Sequence, residues 1–319
     1  MLDPSAFQTT DPLVDYTIRI MNLKPDFIAD QVFVPQPIPK KLFKKYQYDN
    51  SNKRIRQAKK SSKAKADVVD YGVFTTSAVA ELRKLSGEID PADERDFDGA
   101  VADITTDMAL TLQEQLWLVR EGEMITKLAP GNFATGLTLT LTGSSIWTQA
   151  GSDPVADVIS MRTAIRTACG VAPNAMGVSW TGLQKLMQAP ALVDRIKYTS
   201  GGPVTLQAMA ALFGVQEINV CGGISTTSTE GAASQALSDQ WANFALLYVK
   251  GVPGRRGMSF GNDFIVQQLY SRQYLDNERG AADPIKMLEM GWWYTLEAGA
   301  VDSAGSGKFL AGARIDGIF

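Results

Sequence analysis

The chain contains no histidine. That removes the side chain that most often serves as general base and metal ligand near neutral pH, and with it every Ser–His–Asp and Cys–His mechanism. Cysteine is almost as scarce. Cys169 and Cys221 are the only two in 319 residues, too few for a disulfide framework or a four-cysteine zinc site. They are expected as small buried hydrophobes in a reducing compartment. The sequence also lacks an uninterrupted apolar run of about 18 residues, which a membrane-spanning helix needs. Its opening, MLDPSAFQTTDPLVDY, has no basic stretch followed by an apolar one, as a signal peptide has. These absences point to a protein that stays in the cytoplasm where it is made. No catalytic residue, cofactor or metal is expected, although carboxylate or lysine chemistry remains open.

What is present is a globular composition, 45% apolar and 20% charged, in a chain long enough for one large domain or two ordinary ones. The net charge of −3 conceals a strong polarity. Lys40 to Asp67, KKLFKKYQYDNSNKRIRQAKKSSKAKAD, holds eleven Lys and Arg against two acids. Its excess of nine leaves −12 for the rest of the chain. The opposite pole follows at Gly87 to Asp107, GEIDPADERDFDGAVADITTD, with eight acids and the single base Arg95. An acidic body does not wrap DNA tightly, because phosphate neutralisation drives that binding.

The order of elements can be read from punctuation and period. In FIADQVFVPQPIPK, Pro35, Pro37 and Pro39 are spaced by two; each fixes its own φ and extends its predecessor, which predicts an extended arm and excludes a helix or a central strand. Leu42, Tyr46 and Tyr48 share one parity, as do Val69, Tyr71 and Val73. They predict a two-stranded β-arm, with turn chemistry at Asp49 to Asn52 and a polar middle. Such a ribbon is marginal alone and needs a partner surface. Val101, Ile104, Met108, Leu112, Leu116 and Val119 recur near 3.6 spacing and predict a long helix running to about Glu121 or beyond. Asn132 to Thr142 alternates apolar residues with threonine, a strand pattern.

A compact α/β region follows. Asp153 reads as an N-cap with Pro154 first in the helix. Val155, Val158, Met161, Ile165 and Ala168 form its stripe, and Gly170 its left-handed cap. NAMGVSW reads as a strand, Thr181 as the cap of a helix ending at Ala189, and ALVDRIKYT as a further helical piece. A helix with Leu206, Met209 and Phe213 inward ends at Gly214 and precedes the strand VQEINV. Three strand-rich segments close the chain, and no repeat of 20–50 residues is found.

Motifs that carry chemistry do not survive inspection. Glu94, Asp96, Asp98 and Gly99 match the first half of a calcium loop, but position 12 is Thr105 rather than a bidentate Glu. They read instead as an acidic helix start, favourable at the positive end of a dipole. GSGKF (Gly305 to Phe309) has Asp302 and Phe309 where a phosphate loop needs Gly and Ser or Thr. Trp292 and Trp293 are consecutive on a strand and face opposite sides, so they are no stacking platform. Trp147 reads as a hydrophobic plug. The basic stretch keeps three readings: solvated surface charge, a nucleic-acid contact, or a complement to the acidic pole of a neighbouring copy.

The ordered set FIADQVFVPQPIP, the β-arm, and DPVADVISMRTAIRTACGVAPNAMGVSWTGLQKLMQAPALVDRIKYTSGGPVTLQAMAALFGVQEINV, with the strand-rich tail, resembles the major capsid protein of tailed bacteriophages. These are packing motifs, specific as an ordered set rather than singly. The resemblance implies an α+β fold of the Hong Kong 97 type and a viral structural protein that self-assembles into an icosahedral capsid around double-stranded DNA. It implies an N-terminal arm over 1–35, an extended loop over 36–75, and a peripheral domain over 76–150 and 258–300 with a spine helix from Gly99. The axial domain would be 151–257, and the tail 301–319 would return to the peripheral sheet. Partners would be copies of the chain in hexamers and pentamers, a portal, a separate scaffolding protein and a cement protein, with only weak contact to packaged DNA. The place would be the virion, assembled in the host cytoplasm. A nanocompartment shell of the same fold, or a DNA-binding protein using residues 40–65, are the alternatives. The expected inter-subunit contact sets Lys44, Lys45, Lys53, Arg54, Arg56, Lys59, Lys60, Lys63 and Lys65 against Glu88, Asp90, Asp93, Glu94, Asp96 and Asp98.

Overall fold

The computed structural model describes residues 27–48, 73–90, 104–199, 204–229, 231–251, 258–276, 285–301 and 307–319, with isolated positions between 49 and 72. In chain order the elements are α1 (Ala29–Val32), β1 (Phe33–Pro37), β2 (Leu42–Tyr48), β3 (Val73–Val79), β4 (Glu81–Ile89) and α2 (Ile104–Lys127). Then come β5 (Thr138–Thr140), α3 (Pro154–Cys169), β6 (Ala175–Ser179), α4 (Trp180–Met187), α5 (Pro190–Thr199) and α6 (Leu206–Phe213). The chain closes with β7 (Glu217–Cys221), β8 (Ile224–Thr226), β9 (Leu237–Asp239), β10 (Phe244–Tyr248), β11 (Gly261–Asp276), β12 (Ile285–Ala298) and β13 (Gly312–Asp316).

Two sheets organise these elements. The first has the order β1-β11-β12-β4, and the second β5-β13-β10-β6-β7. The proline-spaced segment forms the parallel edge strand β1 beside β11, a position where Pro35 and Pro37 leave no ladder bond unmade on the outer side. Contrary to the exclusion of a helix, one short turn, α1, precedes that strand. Its residues Ile28, Ala29 and Val32 are buried with Phe33 and Val34. The prolines start only at residue 35, so they constrain nothing before Val34.

The long helix α2 lies on the first sheet. Ala109, Leu112 and Leu116 pack with Leu288 and Met290 of β12. Residues 99–103, with the expected helix start, and 91–98, with most of the calcium-loop residues, lie outside the described positions. Val119 does not belong to the buried face, being 42% exposed; Arg120 and Glu121 are buried there instead.

The α/β region follows its sequence signals closely. Asp153 accepts from the Ala156 amide, Pro154 opens α3, and Gly170 closes it at φ 72°. Cys169, rather than Ala168, completes the buried stripe. Gly214 likewise closes α6 in the left-handed region. Three details differ. Ser179, not Thr181, caps α4 by accepting from the Gly182 amide, because β6 runs straight into the helix. Leu206 is 40% exposed at the first turn of α6, whose inward side carries Met209, Ala210 and Phe213. The alternating run 132–142 yields only the three-residue β5, since Gly136 at φ 83° breaks its first half. Both cysteines and Trp147 are buried. Trp292 is buried while Trp293 sits under Lys41.

β13 of the tail lies between β5 and β10 in the second sheet and so does not return to the first sheet, where it was expected. A tight turn follows β13. Gly317 sits at φ 74°, and a Cβ there would stand 2.5 Å from the Leu141 carbonyl oxygen. Gly317→Ala is therefore expected to cost roughly 1–3 kcal/mol, read as a lowered denaturation midpoint, whereas Gly131→Ala, with open space around its Cβ, leaves the midpoint nearly unchanged.

Candidate functional site

The basic arm is rooted on its own chain. β2 and β3 pair antiparallel, with Leu42 opposite Val79 and Phe43 opposite Ala78. The face turned to the sheet carries Phe43 and Lys45, and the parity shared by Leu42 and Tyr46 is the other face. Phe43 meets the Phe264 ring at 4.5 Å between centroids, and Lys45 reaches Glu297 at 2.7 Å. Lys41 lies over the Trp293 ring, 3.5 Å from its centre, a favourable place for an ammonium. Leu42, Tyr46 and Val79 face outward and are more than half exposed. The alternation alone does not reveal which face turns to the sheet. The second strand is described from Val73; Val69 and Tyr71, expected on the same strand, and the turn expected at Asp49 to Asn52 lie outside the described residues.

The residues proposed for contact between copies divide accordingly. Lys45 is engaged within the chain and leaves the set. Lys44, Lys59 and Lys65 are exposed, as are Glu88 and Asp90 at the end of β4. Lys53, Arg54, Arg56, Lys60, Lys63, Asp93, Glu94, Asp96 and Asp98 lie outside the described residues. Among the described residues no group of three or more Cys, Asp or Glu side chains is placed to hold a metal.

Sequence reasoning missed a second cluster, at Arg120 and Glu121. Successive residues of an α-helix point about 100° apart, so these two reach in different directions from α2. Arg120 is fully buried and donates to Asp263 of β11 and to Asp30 of α1. Its guanidinium lies over the Trp292 ring at 4.5 Å and the Trp117 ring at 5.2 Å. Glu121 is also fully buried. It accepts from the Ala29 amide at 3.1 Å, the Ile28 amide at 3.4 Å and the Cys221 thiol of β7 at 3.2 Å. Ile28 has no side-chain cap to offer α1; the Glu121 carboxylate takes that role from another helix.

Burial dominates the electrostatics here. It pushes the Asp263 carboxyl up to about 6, with Arg120 pulling the other way. It raises Glu121 too, against the thiol and amide donors. The Cys221 thiol is raised by burial and by Glu121, so it is not a poised nucleophile. For Arg120 the two carboxylates outweigh burial and hold the cation firmly charged. The sequence carried one signal for this site: Arg120 lies four residues from both Leu116 and Met124, in the row of buried positions.

No family model matches the sequence. Over 170 residues the chain is 32% identical to a major capsid protein of Burkholderia phage BcepMu, an alignment covering 52% of each. The match thus spans about half the length of that curated relative. Three-dimensional similarity covers far more. A phage-related protein from Bordetella bronchiseptica RB50 superposes with a TM-score of 0.71 at 22% identity over 98% of both chains. A virus-like particle from Pyrococcus furiosus gives 0.58 at 10% identity over 95% and 98%. The capsid of cyanophage P-SCSP1u gives 0.54 at 10% identity over 91% and 88%. The chain has the α+β, Hong Kong 97-type capsid fold.

Removing the guanidinium leaves Asp263 buried without its counter-charge. Arg120→Met is expected to destabilise by about 3–5 kcal/mol, measured by denaturant or thermal unfolding. Lys45→Ala, at a partly exposed pair, costs about 0.2–1 kcal/mol. Equal small losses for both would contradict a structural role for the buried pair.

Proposed function

We propose that the chain is a major capsid protein that self-assembles into the icosahedral shell around the double-stranded DNA of a tailed phage. The observation that carries this reading is the agreement of fold along nearly the whole chain with a phage capsid, joined to 32% identity with a named major capsid protein over half of it. The role is structural rather than enzymatic, and the place is the virion. Copies gather in hexamers and pentamers, helped by a separate scaffolding protein and a portal, with a cement protein as a further partner. The acidic body suits a container, since a strongly basic inner wall would bind the genome and hinder its movement.

In this reading the arm reaches a neighbouring copy. Lys44, Lys53, Arg54, Arg56, Lys59, Lys60, Lys63 and Lys65 face Glu88, Asp90, Asp93, Glu94, Asp96 and Asp98 of that copy. Three features support it. The arm's root has one face already occupied by its own sheet, its other face shows Leu42, Tyr46 and Val79, and the matching acids lie on the same chain. Exposed pairs are worth roughly 0–1 kcal/mol each, but a closed shell repeats them in every subunit. The fold shared with the Pyrococcus furiosus particle keeps a cellular nanocompartment as the second reading.

Electron microscopy of the protein, alone and co-expressed with its gene neighbours, is expected to show closed shells tens of nanometres across. Discrete monomers under both conditions would overturn the reading, and a steep salt dependence of DNA binding would then favour a nucleic-acid role. Reversing Lys59, Lys60 and Lys63 together to Glu is expected to reduce the assembled fraction and its sensitivity to salt. Unchanged assembly and salt response would remove the arm from the contact.

A further inference from the structure

Residues 27–37 form a strap across the molecule. Phe27 stacks on Trp117 with centroids 6.0 Å apart, Asp30 meets Arg120, and Gln31 accepts from Lys250 at 2.6 Å. β1 then pairs along β11. We propose that seating this strap on α2 takes up protons, so that the segment is held more firmly at mildly acidic pH than at neutral pH.

Negative charge outweighs positive in this buried place. Glu121 faces the Cys221 thiol from β7, with Asp239 of β9 beyond it, the Ile28 and Ala29 amides from the strap, and Arg120 on its own helix. Asp263 faces Arg120 and Glu123 from α2 and Asp30 from the strap. The rings of Trp117, Trp292 and Tyr294 complete the wall around the guanidinium and carry no charge. Glu123 is engaged elsewhere, by Arg83 at 2.8 Å. Among the described residues one guanidinium serves two carboxylates, Asp30 and Asp263, while Glu121 has a thiol and two amides but no bonded cation. Arg120 bonds both carboxylates through Nη2 alone, and Asp263 Oδ1 is buried with no hydrogen-bond partner among the described residues, as are Arg120 Nε and Nη1. A buried anionic oxygen without a donor is costly, and a proton relieves that cost.

Releasing the strap opens this wall to water, where both carboxyls return toward about 4. Burial holds Asp263 at about 6 in the seated state, and Glu121 is raised in the same sense. A carboxyl raised in this way favours the seated state fully below its released value and loses that preference as pH rises through its seated value. For Asp263 alone, the equilibrium shifts about tenfold toward seating between pH 7 and pH 5. The inference concerns the single chain and does not rest on the shell reading.

The test is hydrogen exchange of the full chain followed by mass spectrometry from pH 8 to pH 5, expressed as protection factors so that intrinsic pH effects cancel. Protection over residues 28–36 is expected to rise about tenfold between pH 7 and pH 5, beyond any change in α3. Asp263→Asn and Glu121→Gln, which keep shape and remove titration, are each expected to flatten part of that rise. A flat or falling profile in the unsubstituted chain overturns the proposal. So does a rise shared equally by α3, or one retained in full by both variants. The unsubstituted chain decides the matter even where a variant does not fold.

Discussion

The fold depends on two consecutive charged residues inside α2. Arg120 ties that helix to the first sheet through Asp263, and Glu121 ties it to the second through Cys221. Both also hold the strap, one at Asp30 and the other at the first amides of α1. Elsewhere the long helix packs aliphatic residues on the first sheet, with the more exposed Glu123–Arg83 pair and the Trp117–Trp292 ring contact beside them; aliphatic packing fixes distance but not direction. Hydrogen-bonded charges fix direction. A buried ion pair gains little net stability over apolar replacements; its contribution here is to give helix, strap and two sheets one arrangement. The larger apolar core, which includes Trp147, Trp241, Phe213 and Phe260, then fills the space that this arrangement encloses.

The arm obeys a different constraint. A two-stranded ribbon cannot bury both faces by itself. One face of its root is satisfied within the chain by Phe43 on Phe264 and by Lys45 on Glu297. The other carries apolar residues into solvent beside a run of lysines. A protein working as a lone copy gains nothing from such a surface, whereas a protein proposed to work as a lattice has a use for it. The same logic accounts for the opposed charge poles, which would repel in a like-to-like contact and attract in a staggered one.

Much of this was legible because it rests on local rules. Asp153, Pro154, Gly170 and Gly214 announce the limits of helices through capping chemistry that acts over a few residues. The stripe of α2 and the strand-rich tail follow from period alone. The errors came where tertiary contacts outrank period. Period left open which face of the ribbon turns inward; Phe43 does, against Phe264, a partner more than two hundred residues away in the sequence. β13 leaves the first sheet because β5 and β10 accept it, and nothing in KFLAGARIDGIF names those partners. The buried pair was missed because Arg and Glu on a helix ordinarily face water. Only their spacing from Leu116 and Met124, together with a strand Asp at 263, hints otherwise.

A cryo-electron-microscopy reconstruction of the assembled particle tests the account most directly, because it resolves the lattice and the junction together. The account predicts a closed icosahedral shell in which each subunit's strap is seated on its own Arg120 and Glu121, with Asp263 in place, while the basic arm lies against a neighbour. Straps exchanged between subunits, or Arg120 withdrawn from Asp263 in the assembled state, would contradict it.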